Sequence, residues 1–140
     1  MQRLKWITLL ALSGLIAVGI ATGITTPTQY HAQMQLRQAE HRGDVLFHSQ
    51  ALGMNGLSCD TCHVDGGRFS HRLGLQRIPS LVQAERAFPL VTANGEIVTL
   101  EDQINLCLMH HMEGQGLSPE SPKLALLDLY LRHLSRFHER

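Results

Sequence analysis

Cys59, Cys62 and His63 stand together in the run Cys59-Asp60-Thr61-Cys62-His63, and that spacing suits one kind of chemistry. Two thiols three residues apart on one turn can both reach the vinyl groups along one edge of a porphyrin. The adjacent imidazole then points at the iron, and C-x-x-C-H is the attachment signature of covalent c-type haem. The run predicts one haem c, bound through Cys59 and Cys62, with His63 as an axial ligand. A third cysteine, Cys107, makes the count odd. One disulfide plus a free thiol would be the structural default for such a chain, and the histidine after Cys62 argues against it. A dithiol redox motif needs a βαβ context that the chain lacks. A structural zinc site needs a fourth ligand at finger-like spacing, and none is convincing.

The elements that must position these residues read as helices joined by loops. A first helix is expected from about Arg37 to Ser49. Gly43 and Phe47 lie four apart in it and share a face. Glycine inside a helix costs about 1 kcal/mol against alanine and is tolerated where another helix must cross closely. Glycines at 53, 56, 66 and 67 make the segment around the cysteines a tight loop. A short helix is expected over Ser80 to Phe88, stopped by Pro89, and Asn94-Gly95 marks a turn. Thr99 followed by Glu101 and Asp102 signals a helix start, with Ile104, Leu108 and His111 on one face until Gly114 and Gly116 end it. The final helix starts at Ser118-Pro119 or Ser121-Pro122 and runs to about Phe137, with Leu124, Leu127, Leu131 and Leu134 at helical spacing. The class is all-α with loops.

Arg3 and Lys5 precede an uncharged stretch from Trp6 to Ile24, the layout of a secretory signal. The apolar run from Ile7 lies at the short end of the membrane-spanning range. Residues 1–24 are thus expected to be a signal peptide or an uncleaved anchor, and the remainder to be exported. Residues 25–36, polar and holding Pro27, read as a tether, and 37–140 as one domain. Without Arg3 and Lys5, 10 basic residues face 12 acidic ones, so nothing suggests nucleic acid, which demands a basic surface. A domain this short buries a modest fraction of its surface, and a large apolar cofactor would add to its core.

These residues together resemble a class I cytochrome c domain: a first helix with Gly43 and Phe47, the C-x-x-C-H loop, a later proline and a crossing C-terminal helix with Tyr130. The resemblance implies that Pro79, in Arg77-Ile78-Pro79-Ser80-Leu81, supplies the carbonyl that holds Nδ1–H of His63. Read on its own, Pro79 is equally a helix-start residue. In that family the second ligand comes from the segment before the last helix. Met112, preceding Gly114-Gln115-Gly116-Leu117-Ser118, occupies the place of a ligand methionine. The stretch from Thr99 to Ser135, with Leu100-Glu101-Asp102-Gln103-Ile104-Asn105-Leu106-Cys107 and later Leu129-Tyr130-Leu131, also resembles the haem domains of thiosulfate dehydrogenases and of the A subunit of the Sox complex, whose helix cysteine ligates iron. Carried over, that residue is Cys107, with Met112 the alternative and Met109, His110 and His111 weaker candidates. Those enzymes have an arginine where this chain has Gln103, and arginine is the natural clamp for an oxyanion.

Arg68, Arg72 and Arg77, with His71, cluster after the haem motif, where they could screen propionates or bind an anion or an acidic partner. Histidines 31, 41, 48, 133 and 138 read as scattered surface residues. The leading functional reading is an exported mono-haem cytochrome that carries single electrons between redox partner proteins, with possible membrane association through its N-terminus. The chain shows no convergent acid–base residues. A haem–thiolate enzyme, or enzyme subunit, in sulfur-compound oxidation is the alternative, and a gas-sensing module a third.

Overall fold

The computed structural model describes residues 26–136. The expectations for residues 1–24 lie outside the described residues, and no helix within them is long and apolar enough to cross a membrane. The chain divides between Gln35 and Leu36, and the unit from Leu36 onward holds every candidate site residue.

Helix α1 spans Pro27–Phe47, beginning ten residues before the expected start at Arg37. Thr26 explains the difference. Its hydroxyl accepts from the Gln29 N–H at 3.3 Å, and its own N–H donates to the Gln29 side chain at 3.0 Å. That reciprocal pair is a capping box, and Pro27 sits at the first helical position, where its missing N–H costs nothing. The polar composition read as a tether marks solvent exposure: residues 26–38 are all exposed, and burial begins at Glu40, Gly43 and Phe47.

The expected helix over Ser80–Phe88 shrinks to a single 3-10 turn, Ala84–Ala87, entered through Gln83 at φ 67°. The backbone groups that a helix would use are taken by tertiary partners. Leu81 N–H donates to Gly67 O at 2.7 Å, and Gln83 N–H donates to the Ser135 hydroxyl at 3.0 Å. Two short antiparallel hairpins interrupt the helical class. β1 (His71–Leu73) pairs with β2 (Gln76–Ile78), and β3 (Leu90–Val91) pairs with β4 (Ile97–Val98) around the expected Asn94-Gly95 turn.

The short helix α2 is Cys59–Cys62, and α3 is Leu100–His110. Thr99 caps α3 as expected: its hydroxyl accepts from the Asp102 N–H at 3.1 Å, and Asp102 accepts from the Thr99 N–H at 2.9 Å. Leu100, Ile104 and Leu108 form its buried face. His111, expected on that face, is exposed because the helix has already ended. Helix α4 is Pro122–Arg136, with Leu124, Leu127, Tyr130, Leu131 and Leu134 buried.

Where α1 and α4 meet, a Cβ on Gly43 would stand 2.8 Å from Tyr130 Cβ and closer still to the Leu126 carbonyl oxygen. No side chain fits there, which is why glycine is tolerated in mid-helix. The Phe47 and Tyr130 rings pack beside the crossing with centroids 5.1 Å apart. Glu40, buried at 7 % exposure, is paired across the same helices with Arg136 at 3.0 Å, and His133 lies 3.1 Å away. His133 is thus a partly buried partner of Glu40 and not the free surface residue expected. A buried carboxylate needs such a partner.

Candidate functional site

Helix α2 places both thiols and the histidine on one turn. Ser58 N–H donates to the Thr61 hydroxyl at 3.0 Å, and His63 N–H donates to Cys59 O at 2.9 Å, closing the turn. The turn is then held from two sides. Asp60, between the cysteines, accepts from Gly66 N–H at 2.7 Å, and the Tyr130 hydroxyl donates to Gly66 O at 2.9 Å. Gly66 lies at φ 64°, the left-handed region that glycine enters without strain. Helix α4 therefore fixes the attachment segment through Tyr130, whose hydroxyl is held well above its ordinary pKa by burial and by nearby Asp44.

His63 Nδ1 lies 3.4 Å from Pro79 O, a long hydrogen bond. A carbonyl can only accept, so the proton sits on Nδ1 and the Nε2 lone pair is left free for a metal. Pro79 is brought there by the segment after β2. The Ser80 hydroxyl donates to Arg68 O at 2.8 Å, and Leu81 N–H reaches Gly67 O, so the segment is tied to the turn that follows His63. Burial lowers the His63 pKa; the Pro79 carbonyl works against that, while His71 and His111 add to it. The net shift favours the neutral, ligating form.

All three cysteines are half-buried free thiols. Burial, and next the neighbouring Cys107, push the Cys59 thiol up to about 11. Burial raises Cys107 as well, with Cys62 adding to the shift. Cys107 on α3 thus lies within electrostatic reach of both attachment cysteines. Gln103, one turn earlier, approaches Cys107 with its side-chain amide and works against that shift. Sequence reasoning marked Gln103 only as a missing arginine. Its i, i+4 spacing to Cys107 was the signal for this contact.

Met112 follows the end of α3. It is 3 % exposed within the main hydrophobic cluster, and a Cβ on Gly53 would lie 2.9 Å from its Cβ and 3.3 Å from its Cε. Its carbonyl accepts from Met54 N–H at 2.9 Å. Met109, His110 and His111 are exposed. Arg72 and Arg77 face each other across β1 and β2, and with Ser70 and His71 they line a shallow cleft. Arg68 donates to Asp65 O at 3.1 Å.

The residues present fit a covalently held haem. They offer two uncommitted thiols on one turn, a neutral imidazole with its distal nitrogen free, and a sulfur ligand candidate on α3. Among the described residues, no group of three or more His, Cys, Asp or Glu side chains is placed to hold a bare metal ion.

No family model matches the chain, and no curated protein matches it. A solved structure does: thiosulfate dehydrogenase TsdBA from Marichromatium purpuratum, with a TM-score of 0.60 at 22% identity over 71% of this chain. The match covers 23% of that protein, so this chain spans about a quarter of its length. The likeness is one of fold: a mostly helical, cytochrome c-like domain.

Proposed function

We propose that this chain is a mono-haem c-type cytochrome that carries single electrons outside the cytoplasmic membrane. The observation that carries the reading is the pairing of Cys59 and Cys62 on one turn with His63, whose Nδ1 faces the Pro79 carbonyl, in a cytochrome c-like fold. Cys59 and Cys62 would hold the cofactor covalently, and His63 Nε2 would ligate its iron. When bound, haem supplies a one-electron Fe(III)/Fe(II) couple whose potential follows axial ligation, burial and hydrogen bonding. The chain's own part is positional. Pro79 holds the imidazole tautomer and raises its basicity, and Tyr130 and Asp60 fix the attachment turn against α4.

Cys107 is the distal ligand in this reading. Its half-burial and its nearness to Cys59 and Cys62 support it, while Met112 is buried in the core. A metal-bound thiol is deprotonated, and the resulting anionic sulfur favours Fe(III). Residues 1–24 would direct export or anchor the protein, and the near-neutral charge leaves nucleic acid out.

A second reading is a haem–thiolate enzyme, or enzyme subunit, acting on sulfur compounds. The structural neighbour is a thiosulfate dehydrogenase, and the Leu100–Cys107 helix has the same character. Gln103 weighs against it, because its amide is uncharged and cannot clamp an oxyanion as an arginine would.

A potentiometric titration of the purified protein, followed by visible absorbance, tests the carrier reading. One reversible single-electron wave is expected, with negligible turnover of thiosulfate. Thiosulfate oxidation at enzyme-like rates would favour the second reading, and a protein with no redox-active chromophore would defeat both.

A further inference from the structure

The β1–β2 hairpin presents an unusual surface. Phe69 is 62 %, Leu73 54 % and Leu75 97 % exposed, so three large apolar side chains lie open along one short excursion. Arg68, Arg72 and Arg77 are interspersed with them, and all three are exposed. Arg72 and Arg77 are direct cross-strand partners, an arrangement in which like charges destabilise the pairing. No acidic residue occurs anywhere from Gly66 to Ala84 to relieve that repulsion. Arg68 donates to the neutral Asp65 carbonyl. Open apolar side chains among concentrated charge of one sign are the makings of an interaction surface.

The position of the surface says what should cover it. β2 (Gln76–Ile78) runs directly into Pro79, whose carbonyl faces His63 Nδ1. The basic hairpin therefore lies beside the candidate iron ligand, next to the proposed redox centre and not on a remote face. A lipid surface carries no electrons, whereas a protein seated here would bring its own redox centre close to that ligand. Charge complementarity requires the protein to be acidic where it meets the arginines.

We propose that the β1–β2 hairpin is the docking surface for an acidic redox protein, with Arg68, Arg72 and Arg77 steering the approach and Phe69, Leu73 and Leu75 forming the dry contact. The inference rests on the electron-carrier reading and adds the partner's chemistry and its entry side. Electrostatic steering of this kind acts chiefly on the association rate and weakens with salt.

The test uses the full-length holoprotein in its oxidised state and a reduced, acidic [2Fe–2S] ferredoxin as probe. One electron leaves the ferredoxin cluster and reduces Fe(III) to Fe(II), followed by stopped-flow absorbance. The rate constant should fall steeply with ionic strength. Arg72→Glu/Arg77→Glu should slow the reaction at low salt by roughly tenfold or more and abolish its salt dependence. Leu73→Ser/Leu75→Ser should slow it several-fold and leave the salt slope intact. Unchanged rates and slope in the charge-reversed variant would overturn the proposal. So would binding of wild type to phosphatidylserine-containing vesicles, lost in the leucine variant while its ferredoxin kinetics stay the same, since the hairpin would then be a membrane contact. Failure of the carrier reading shows separately, as missing haem absorbance before mixing. In that event salt-sensitive co-elution with the ferredoxin still decides the docking question.

Discussion

The two sides of the candidate haem site are built in different ways. On the proximal side, thiols, imidazole and turn are contiguous in sequence, and a carbonyl only sixteen residues further on holds the imidazole. On the distal side, two sulfurs five residues apart compete from one helix and its end. Cys107 is half-buried and lies near the attachment cysteines, whereas Met112 is buried beside Gly53. Adjacent residues carry their chemistry in their spacing. A ligand delivered from a distant helix depends on packing, which spacing alone does not carry.

The largest expected effect separates the two sulfurs. Cys107→Ala should alter the low-spin spectrum of the oxidised holoprotein and raise its potential, because an anionic donor is lost. Met112→Leu, a near-isosteric core change costing under about 1.5 kcal/mol, should leave the spectrum alone. An unaltered spectrum in the first variant and a high-spin one in the second would reverse the assignment.

Next in size is the helix crossing that supports both sides. Gly43→Val places a branched side chain where even a Cβ would press on Tyr130 and the Leu126 carbonyl, so a loss of about 3 kcal/mol is expected on denaturant unfolding. Wild-type stability would remove this contact from the account.

Tyr130→Phe tests the link from α4 to the attachment turn. It removes the donor to Gly66 O and leaves a carbonyl without its partner. A loss of about 1–3 kcal/mol is expected, with wild-type stability as the contrary result.

The smallest effects lie at the start of α3. Thr99→Ala should cost about 1 kcal/mol. Asp102 has its pKa lowered, first by the Thr99 backbone N–H and then by the Thr99 hydroxyl. A carboxylate with a depressed folded pKa stabilises above its unfolded pKa and loses that contribution as pH falls through the folded value. Asp102→Asn should therefore flatten the acid limb of the stability curve slightly, and an unchanged acid limb would contradict it.

The sequence disclosed the helical elements best where start signals and apolar period coincide. Thr99 and Asp102 cap α3 as expected, and the α4 leucines fall on its buried face. It misled where local composition and hydrogen-bonding geometry diverge. Thr26-Pro27-Thr28-Gln29 looks like a polar linker and is a capping box, while Ser80–Phe88 has helix-like composition but gives its N–H groups to Gly67 and Ser135. At the candidate site, Cys59, Cys62 and His63 stood out because they are neighbours in sequence. The bond of Tyr130 to Gly66 O depends on how α4 packs against the attachment turn, which no local pattern encodes.

The account's central claim is that Cys59 and Cys62 hold one haem covalently. The mass of the intact chain, measured under denaturing conditions after export in cells with haem-attachment machinery, tests it directly. The wild type should be heavier than its polypeptide by one haem, and Cys59→Ser/Cys62→Ser should show the polypeptide mass alone. A wild-type chain of unmodified mass would contradict the claim.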